Sequence, residues 1–300
     1  MRTPRKLALF LVSWSVVACS EAVTDPEVPE VNFAMAVDED SRVVFTSNED
    51  ESYDIFMLSP FSIGLPENIT ITPGVDESFP ALSPDRSQIA YVAGGDLWVR
   101  GVADTAQPVQ YTSTPEIETH PAWSPDGTQL AFVRDGDVYV AKVALPFVAY
   151  NLTKHPSLDG DPSWSPDGNL IAFASNRSGG HGFSIYVMKI KTRAAGRITD
   201  TAGDDRYPDW SPDGMRIVFS TDRSGREDVY WVSRSGGVLH SLTNDPAVDR
   251  DPTWSPDGTK IAFVSYRSGG TGDLWWMNAD GTNQSGLRQG LATYAHPDWR

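Results

Sequence analysis

Short runs of apolar and β-branched residues recur from residue 32 to the end of the chain, separated by segments rich in Gly, Pro, Asn and Asp. In one representative stretch, residues 170–175 and 185–190 form two such runs, residues 196–199 form a shorter one, and another run ends at Trp164. Their content of β-branched and aromatic residues is typical of strands. No segment shows the 3.6-residue period of an amphipathic helix. The pattern predicts an all-β protein with four strands per structural unit.

Each unit carries a copy of one eight-residue motif, which reads Asp-Pro-Ser-Trp-Ser-Pro-Asp-Gly at residues 161–168. The Trp position recurs every 41 to 46 residues. Close copies occupy residues 79–86, 120–127, 161–168, 207–214 and 251–258, and residues 296–299 form a truncated sixth copy. A repeat of this length with four strands predicts a β-propeller, in which four-stranded antiparallel blades surround a central channel.

The second half of the motif predicts a hairpin turn between the first and second strands of a blade. In the copy that ends at Gly168, the Pro suits position i+1 of a turn, the Asp can bond nearby backbone amides, and the Gly can adopt positive φ. Arg86 replaces this Gly in the first copy, so we expect that turn to be strained or altered. The motif aspartates are therefore expected to stabilise turns. The register of Trp164 and its equivalents places them in the packing between blades rather than on a carbohydrate-binding platform.

The strand count predicts six blades and a ring that is closed by the last strand of the chain. The second, third and fourth strands can be counted six times, beginning at Arg42, Gln88, Gln129, Asn169, Arg216 and Lys260. The first strand has seven candidates, because residues 33–37 and residues 295–299 both fit. We assign residues 295–299 as the innermost strand of the blade that begins at Arg42, since this closure removes two open sheet edges. Seven blades with one split blade is the competing count.

Composition limits the classes of partner. The chain has 300 residues, of which 40% are hydrophobic and 11% aromatic, which is sufficient for a large buried core. Its formal net charge of −16 argues against a basic face that binds nucleic acid or anionic lipid. The acidity is compatible with cations and with basic partners.

The N-terminal residues resemble a bacterial lipoprotein signal peptide. A basic segment at residues 2–6 precedes an apolar run at residues 7–17 that is too short to span a bilayer, and the sequence Val-Val-Ala-Cys follows, ending at Cys19. The resemblance implies that Cys19 is lipidated and becomes the first residue of the mature chain. The alternative is an ordinary secretory signal that leaves Cys19 as a free thiol.

This resemblance divides the chain into three segments. They are a signal peptide at residues 1–18, a lipidated tether at residues 19–31 and the propeller at residues 32–300. It places the protein in the bacterial cell envelope, lipid-anchored at the periplasmic face of the outer membrane or at the cell surface. The membrane would then be contacted only through the lipid anchor.

The repeats resemble those of TolB-type six-bladed propellers. The shared pattern is Pro-x-Trp-Ser-Pro-Asp-Gly-x-x-Ile-Ala-Phe, followed by runs such as residues 228–232 and 273–277, and the resemblance covers roughly residues 42–299. It implies six blades and closure by a C-terminal half-repeat. TolB-type proteins also carry an N-terminal α/β domain, where this sequence shows only a short tether, so the resemblance does not extend to their whole role.

An acidic residue stands three positions before the repeat Pro in five copies, with Tyr294 in the sixth. These residues are Glu77, Glu118, Asp159, Asp205 and Asp249. The strand order predicts a ring of carboxylates near the mouth of the channel. Two carboxylates ~10 Å apart repel by roughly 1 to 2 kcal/mol at an effective dielectric constant of 20, so such a ring needs positive charge.

Two sources of that charge are open. Arg177, Arg223 and Arg267 recur between the second and third strands on the same face, where they could bridge neighbouring blades. The other source is calcium, which prefers oxygen ligands; the TolB resemblance also implies a calcium ion in the channel. No other cofactor is indicated.

His120 and His296 share the position before the repeat Pro, so they are also candidates for the channel face together with the three arginines. Six-bladed polysaccharide lyases hold a metal with a histidine cluster, which makes a metal-dependent carbohydrate-active lyase or hydrolase the alternative function. No Gly-x-Ser-x-Gly nucleophile motif is present. The leading hypothesis is a non-enzymatic scaffold that binds a protein or peptide of the cell envelope through the channel face.

Overall fold

The computed structural model describes residues 40–50, 52–61, 64–103, 107–179, 182–200 and 202–300. The strands of this part of the chain form six antiparallel sheets of four strands each. Within it, no helix has the length and the apolar character needed to cross a membrane. The predicted all-β, six-bladed architecture is confirmed.

The strands follow the repeat closely, with one sheet per blade. Blade 1 contains β1 (Val43–Asp50), β2 (Ser52–Leu58), β3 (Glu67–Asn68) and β24 (Tyr294–Trp299). Blade 2 contains β4 (Glu77–Leu82), β5 (Gln88–Ala93), β6 (Asp96–Gly101) and β7 (Val109–Gln110). Blade 3 contains β8 (Glu118–Trp123), β9 (Gln129–Arg134), β10 (Asp137–Lys142) and β11 (Ala149–Asn151).

The remaining three blades repeat the same order. Blade 4 contains β12 (Asp159–Trp164), β13 (Leu170–Ser175), β14 (Ser184–Lys189) and β15 (Ala195–Arg197). Blade 5 contains β16 (Asp205–Trp210), β17 (Arg216–Thr221), β18 (Asp228–Ser233) and β19 (Leu239–Ser241). Blade 6 contains β20 (Asp249–Trp254), β21 (Lys260–Ser265), β22 (Asp273–Asn278) and β23 (Ser285–Arg288).

The core lies between the faces of adjacent blades. The second strand of a blade is buried on both sides, as in β13, where Ile171, Ala172 and Phe173 are fully buried. A strand covered on both faces reads as a continuous apolar run rather than an alternating one. Trp164 of β12 packs with Val138 of blade 3, and its indole Nε1 donates to the carbonyl oxygen of Ala122 at 3.2 Å. The predicted packing role of the repeat Trp is therefore confirmed.

The turn after the first strand forms as the motif predicts. In blade 4 the Asp167 carboxylate accepts hydrogen bonds from Ser165 Oγ at 2.6 Å and from the Asn169 amide at 3.0 Å. These bonds lower the pKa of Asp167 below its ordinary value. Gly168 has a φ of 70°. Arg86 takes the equivalent left-handed conformation with a φ of 60°, so the first copy keeps the turn at the cost of backbone strain.

The ring is closed by β24, which pairs antiparallel with β1. Val43 lies opposite Trp299, and the backbones of Arg42 and Arg300 exchange hydrogen bonds of 2.7 and 2.9 Å. The predicted closure by residues 295–299 is confirmed. The competing first-strand candidate at residues 33–37 lies outside the described residues, as do the signal peptide, Cys19 and the tether.

The closing Trp offers a test of the ring. Trp299 is 1% exposed and packs with residues of blades 1 and 6. Trp299→Ala should therefore lower the free energy of unfolding by about 3 to 5 kcal/mol, the usual cost of truncating a buried Trp. Chemical denaturation measures the change.

Trp231→Ala is the matched control, because Trp231 lies half-buried against His240 and takes no part in closure. It should cost less than half as much. Equal losses in the two variants would contradict the buried packing of Trp299 between blades 1 and 6.

Candidate functional site in the central channel

One residue in each innermost strand adopts a left-handed backbone conformation, and in every blade it is the residue directly before the repeat Pro. The six residues are Phe79, His120, Asp161, Tyr207, Asp251 and His296, with φ between 50° and 53°. The pairing of each innermost strand with its neighbour shifts register at this point. Positive φ is strained for bulky residues, and such strain is often retained at functional sites. We call these six residues the channel ring.

The channel ring lines a cavity of about 130 Å³ on the propeller axis. The prolines that follow the ring residues complete its wall, and Asp209, Asp298 and Arg300 also line the cavity. The register shift explains the geometry, because an extra residue in a strand redirects the side chain at the bulge. Six bulges at one level therefore turn six side chains towards the axis.

Aromatic contacts make the ring narrow. Phe79 lies between the two ring histidines, with ring centroids 4.0 Å from His120 and 4.1 Å from His296. The centroids of His120 and Tyr207 are only 6.0 Å apart, although these residues belong to blades 3 and 5. The cavity can therefore admit a slender group but not a folded element.

Several buried polar atoms of the ring have no hydrogen-bonding partner in the protein. They are both ring nitrogens of His120, Nδ1 of His296 and one carboxylate oxygen, Oδ1, of Asp251. His120 Nε2 lies 3.3 Å from Asp161 Oδ1, but the contact lacks the alignment of a hydrogen bond. Because buried polar atoms are normally paired, this group of unpaired atoms points to a ligand or to water that completes the site.

Burial sets the charge of the ring. It lowers the pKa of His296 to about 3 and also lowers that of His120, so both histidines are neutral at neutral pH. It raises the pKa of Asp251 to about 7, against the opposing effect of the Arg250 charge. Burial also raises the pKa of Tyr207. At neutral pH the ring therefore holds two neutral imidazoles, a phenol and, at Asp251, a partly ionised carboxyl group.

The other two acids of the cavity lining are tied to the backbone of the adjacent blade. Asp298 accepts a hydrogen bond of 2.7 Å from the Leu82 amide and lies 3.2 Å from the Arg300 guanidinium. Asp209 accepts hydrogen bonds from the Trp254 amide at 2.9 Å and from Ser163 Oγ at 3.0 Å. These carboxylates connect innermost strands across blade boundaries and line the cavity.

The five acids predicted as a calcium ring do not face the cavity. Each is the first residue of its innermost strand and is at most 1% exposed. Glu118 contacts Arg134 at 2.7 Å, and burial raises the pKa of Glu77 even though Thr70 and Thr72 hydroxyls donate to it. Among the described residues, no three His, Cys, Asp or Glu side chains are grouped closely enough to hold a metal ion. Calcium binding by Glu77, Glu118, Asp159, Asp205 and Asp249 stays a prediction.

The three recurring arginines are the partners of three of these acids. Arg177 donates to Asp159 at 2.8 Å, and its equivalents Arg223 and Arg267 reach Asp205 at 2.6 Å and Asp249 at 2.7 Å. Each pair lies within one blade, so the expected bridge between neighbouring blades is wrong.

The arginines are also not part of the cavity wall. The Arg177 guanidinium lies 4.9 Å from the centroid of Phe173 and binds Ser175 Oγ at 2.8 Å. A hydroxyl and an aromatic ring hold Arg223 and Arg267 in the same way. The structure places these arginines against side chains of their own blades, and their role in binding at the channel face stays a prediction.

Of the predicted channel-face residues, His120 and His296 do line the cavity. Sequence reasoning missed Phe79, Asp161, Tyr207 and Asp251. The available signal was variation: the residue before the repeat Pro reads Phe, His, Asp, Tyr, Asp and His along the chain, while Pro, Trp and the turn residues stay nearly constant. A variable position inside a constant motif indicates a position that the fold does not specify.

Comparison with known proteins supports the same architecture. Residues 67–184 and 180–300 match the family model of the TolB beta propeller domain. The chain is similar to the crystal structure of TolB from Acinetobacter baumannii, with a TM-score of 0.77 and 21% identity, over 88% of this chain and 67% of that one. It is also similar to a putative TolB from Agrobacterium tumefaciens, with a TM-score of 0.66 and 25% identity, over 82% of this chain and 88% of that one.

Enzymes share the fold at lower identity. An oligogalacturonate lyase in complex with manganese has a TM-score of 0.56 and 14% identity, over 84% of this chain and 73% of that one. At this identity the likeness shows the fold alone. No curated protein matches the sequence.

Because the pKa of Asp251 is raised, we expect Asp251→Asn to increase the free energy of unfolding by an amount that depends on pH. The folded pKa of about 7 lies above the ordinary 3.8, so ionisation opposes folding increasingly as pH rises through this window. The variant should be more stable than the wild type at about pH 8, by at most about 4 kcal/mol at ~1.4 kcal/mol per pKa unit, and similar at about pH 4. Thermal unfolding at the two pH values measures the difference.

The lowered histidine pKa values act in the opposite direction below pH 6.5, so variant and wild type must be compared at the same pH. Asp200→Asn removes an exposed carboxylate and serves as the control, which should be no more stable than the wild type at about pH 8. A destabilised Asp251→Asn at about pH 8 would show that the fold needs the charge.

Proposed function

The chain belongs to the TolB beta propeller domain family, and we propose that it is a non-enzymatic scaffold of the bacterial cell envelope that binds a protein or peptide segment at the channel ring. The observation that carries this proposal is the set of unpaired buried polar atoms on His120, His296 and Asp251. Burying such atoms without partners costs about 1 to 3 kcal/mol each, and a ligand that pairs with them recovers that cost. The site therefore has the properties of a preformed binding pocket.

The arrangement of the cavity favours binding over chemistry. The hydroxyls of Ser163 and Thr253 both donate to the Asp209 carboxylate. That carboxylate also accepts a hydrogen bond from the Trp254 amide, so it joins innermost strands of different blades and does not stand free as a general base. Catalytic zinc sites have three protein ligands, and the described residues form no group of three His, Cys, Asp or Glu side chains.

The alternative is a metal-dependent polysaccharide lyase or hydrolase on the same fold. Its support is that His120 and His296 share the cavity with ring centroids 6.3 Å apart. A manganese-bound lyase also shares this fold, so the experiment below tests the alternative as well.

Capture from cell-envelope extracts of the source bacterium distinguishes the two functions. The immobilised wild-type protein and the Asp200→Asn control should retain the same protein partner, whereas Tyr207→Ala should lose most of it, because the variant removes one wall of the narrow ring. Mass spectrometry of the eluates measures recovery. Capture of nothing by any of the three proteins, together with turnover of a polysaccharide, would reverse the assignment in favour of the enzyme.

We further propose that Cys19 anchors the protein to the envelope through lipid, with residues 19–31 as the tether and residues 1–18 removed. Acyl chains add about 0.8 kcal/mol per buried CH₂, and more than one chain is needed for stable anchoring. Cys19→Ala should move the protein from the membrane fraction to the soluble fraction, as measured by fractionation and immunoblotting. An unchanged membrane fraction would contradict the lipid anchor.

A further inference from the structure

We propose that the channel ring takes a basic side chain, Lys or Arg, of the bound peptide. This inference rests on the proposed peptide-binding function and specifies the chemistry of the residue that enters the cavity. It follows from the balance of charge in the cavity, from one open carboxylate oxygen and from the aromatic walls.

Acidic residues dominate the cavity lining. Four carboxyl groups line it against one guanidinium: Asp161, Asp209, Asp251 and Asp298 against Arg300. Arg300 is occupied by Asp298 at 3.2 Å, and Asp209 is satisfied by backbone and hydroxyl donors. The ring acids are therefore the ones left to interact with a ligand.

Asp251 supplies the open acceptor. It is 5% exposed, it lines the cavity, and its Oδ1 has no hydrogen-bonding partner. The nearest cation, Arg250, lies 4.0 Å from the other oxygen, Oδ2, and its guanidinium donates to the Tyr266 hydroxyl at 2.7 Å. Arg250 is not part of the cavity wall, and it leaves Oδ1 of Asp251 without a partner.

The second ring carboxylate lies two blades away from Asp251. Asp161 is 7% exposed and accepts a long hydrogen bond of 3.3 Å from the Tyr207 amide. Its other neighbour, His120, is uncharged at neutral pH, because burial lowers the pKa of that imidazole. Neither contact neutralises the Asp161 carboxylate when it is ionised. An ammonium or guanidinium group carries several donors and a full positive charge, which fits two carboxyl groups on one ring.

The rest of the wall suits the stem of such a side chain. Lys and Arg bury an apolar stem while the charged end seeks acceptors, and aromatic faces attract cations. Phe79 and Tyr207 provide the aromatic faces, and neutral His120 and His296 each keep one acceptor nitrogen. The cavity volume of about 130 Å³ leaves room for an unbranched chain beside these rings. The net charge of −16 also favours encounter with a basic partner.

The experiment selects peptides from a random display library on the full-length protein and then alters the selected peptides. We expect the selected peptides to share a Lys or Arg. Replacing that Lys by acetyl-lysine, or that Arg by citrulline, should weaken binding at least about tenfold, because a charge-assisted contact with a buried carboxylate is lost. Calorimetric titration with the wild type measures the affinities.

The protein variants test the same contact from the other side. Asp251→Asn and Asp161→Asn should each reduce the preference for the unmodified peptide over its neutral analogue, whereas Asp200→Asn, which removes an exposed carboxylate outside the cavity, should keep it. Thermal unfolding confirms that each variant is folded. Addition of a chelator should leave the affinities unchanged.

The outcomes separate this inference from the proposed function. Selected peptides that bind wild type but not Tyr207→Ala, and that share no basic residue, would overturn the inference and leave the scaffold function standing. Loss of binding on addition of the chelator would overturn it in favour of a metal-mediated contact. Selection of no peptide at all would contradict both proposals.

Discussion

Antiparallel pairing of β24 with β1 joins the last strand of the chain to its first sheet, and this contact decides whether six blades form a ring or an open stack. Each blade packs mainly on its two neighbours, as in other repeat architectures, so an open stack would leave two apolar faces and two strand edges in water. Closure places the innermost strands around one axis. The channel and everything that lines it depend on this join.

Convergence of six innermost strands creates a second constraint, because their side chains must share a narrow space. The structure meets it with a bulge before each repeat Pro, where the chain accepts a left-handed residue. Pro disfavours helical backbone in the residue before it, and positive φ is costly for Phe79, His120 and Tyr207. The same strain recurs in all six blades, so the surrounding sheet pairing must enforce it. Its result is a ring of side chains turned to the axis.

Charge is distributed in two layers with different roles. The acids that begin the innermost strands of blades 3 to 6 are buried within their blades and paired with arginine, so their charges hold a blade together and do not face a ligand. Breaking such a pair leaves a buried charge without compensation, which explains why both partners recur together. The ring acids Asp161 and Asp251 lie two residues further along their strands, and within the described part of the chain neither accepts a hydrogen bond from an arginine. This difference separates the binding cavity from the scaffold around it.

The sequence alone determined the repeat, the four strands of each blade, the turn after each Trp and the closing strand, because these depend on local propensity and on regular spacing. It also pointed to His120 and His296 as channel residues. Tertiary structure decided which residues of the innermost strands face the axis, because the bulge redirects side chains by one position. The acids from Glu77 to Asp249 therefore turn into their blades, and the residues two places later line the cavity. Which carboxylates pair with arginine and which stay open depends on contacts between strands, and a one-residue change in register reverses the face that a side chain occupies.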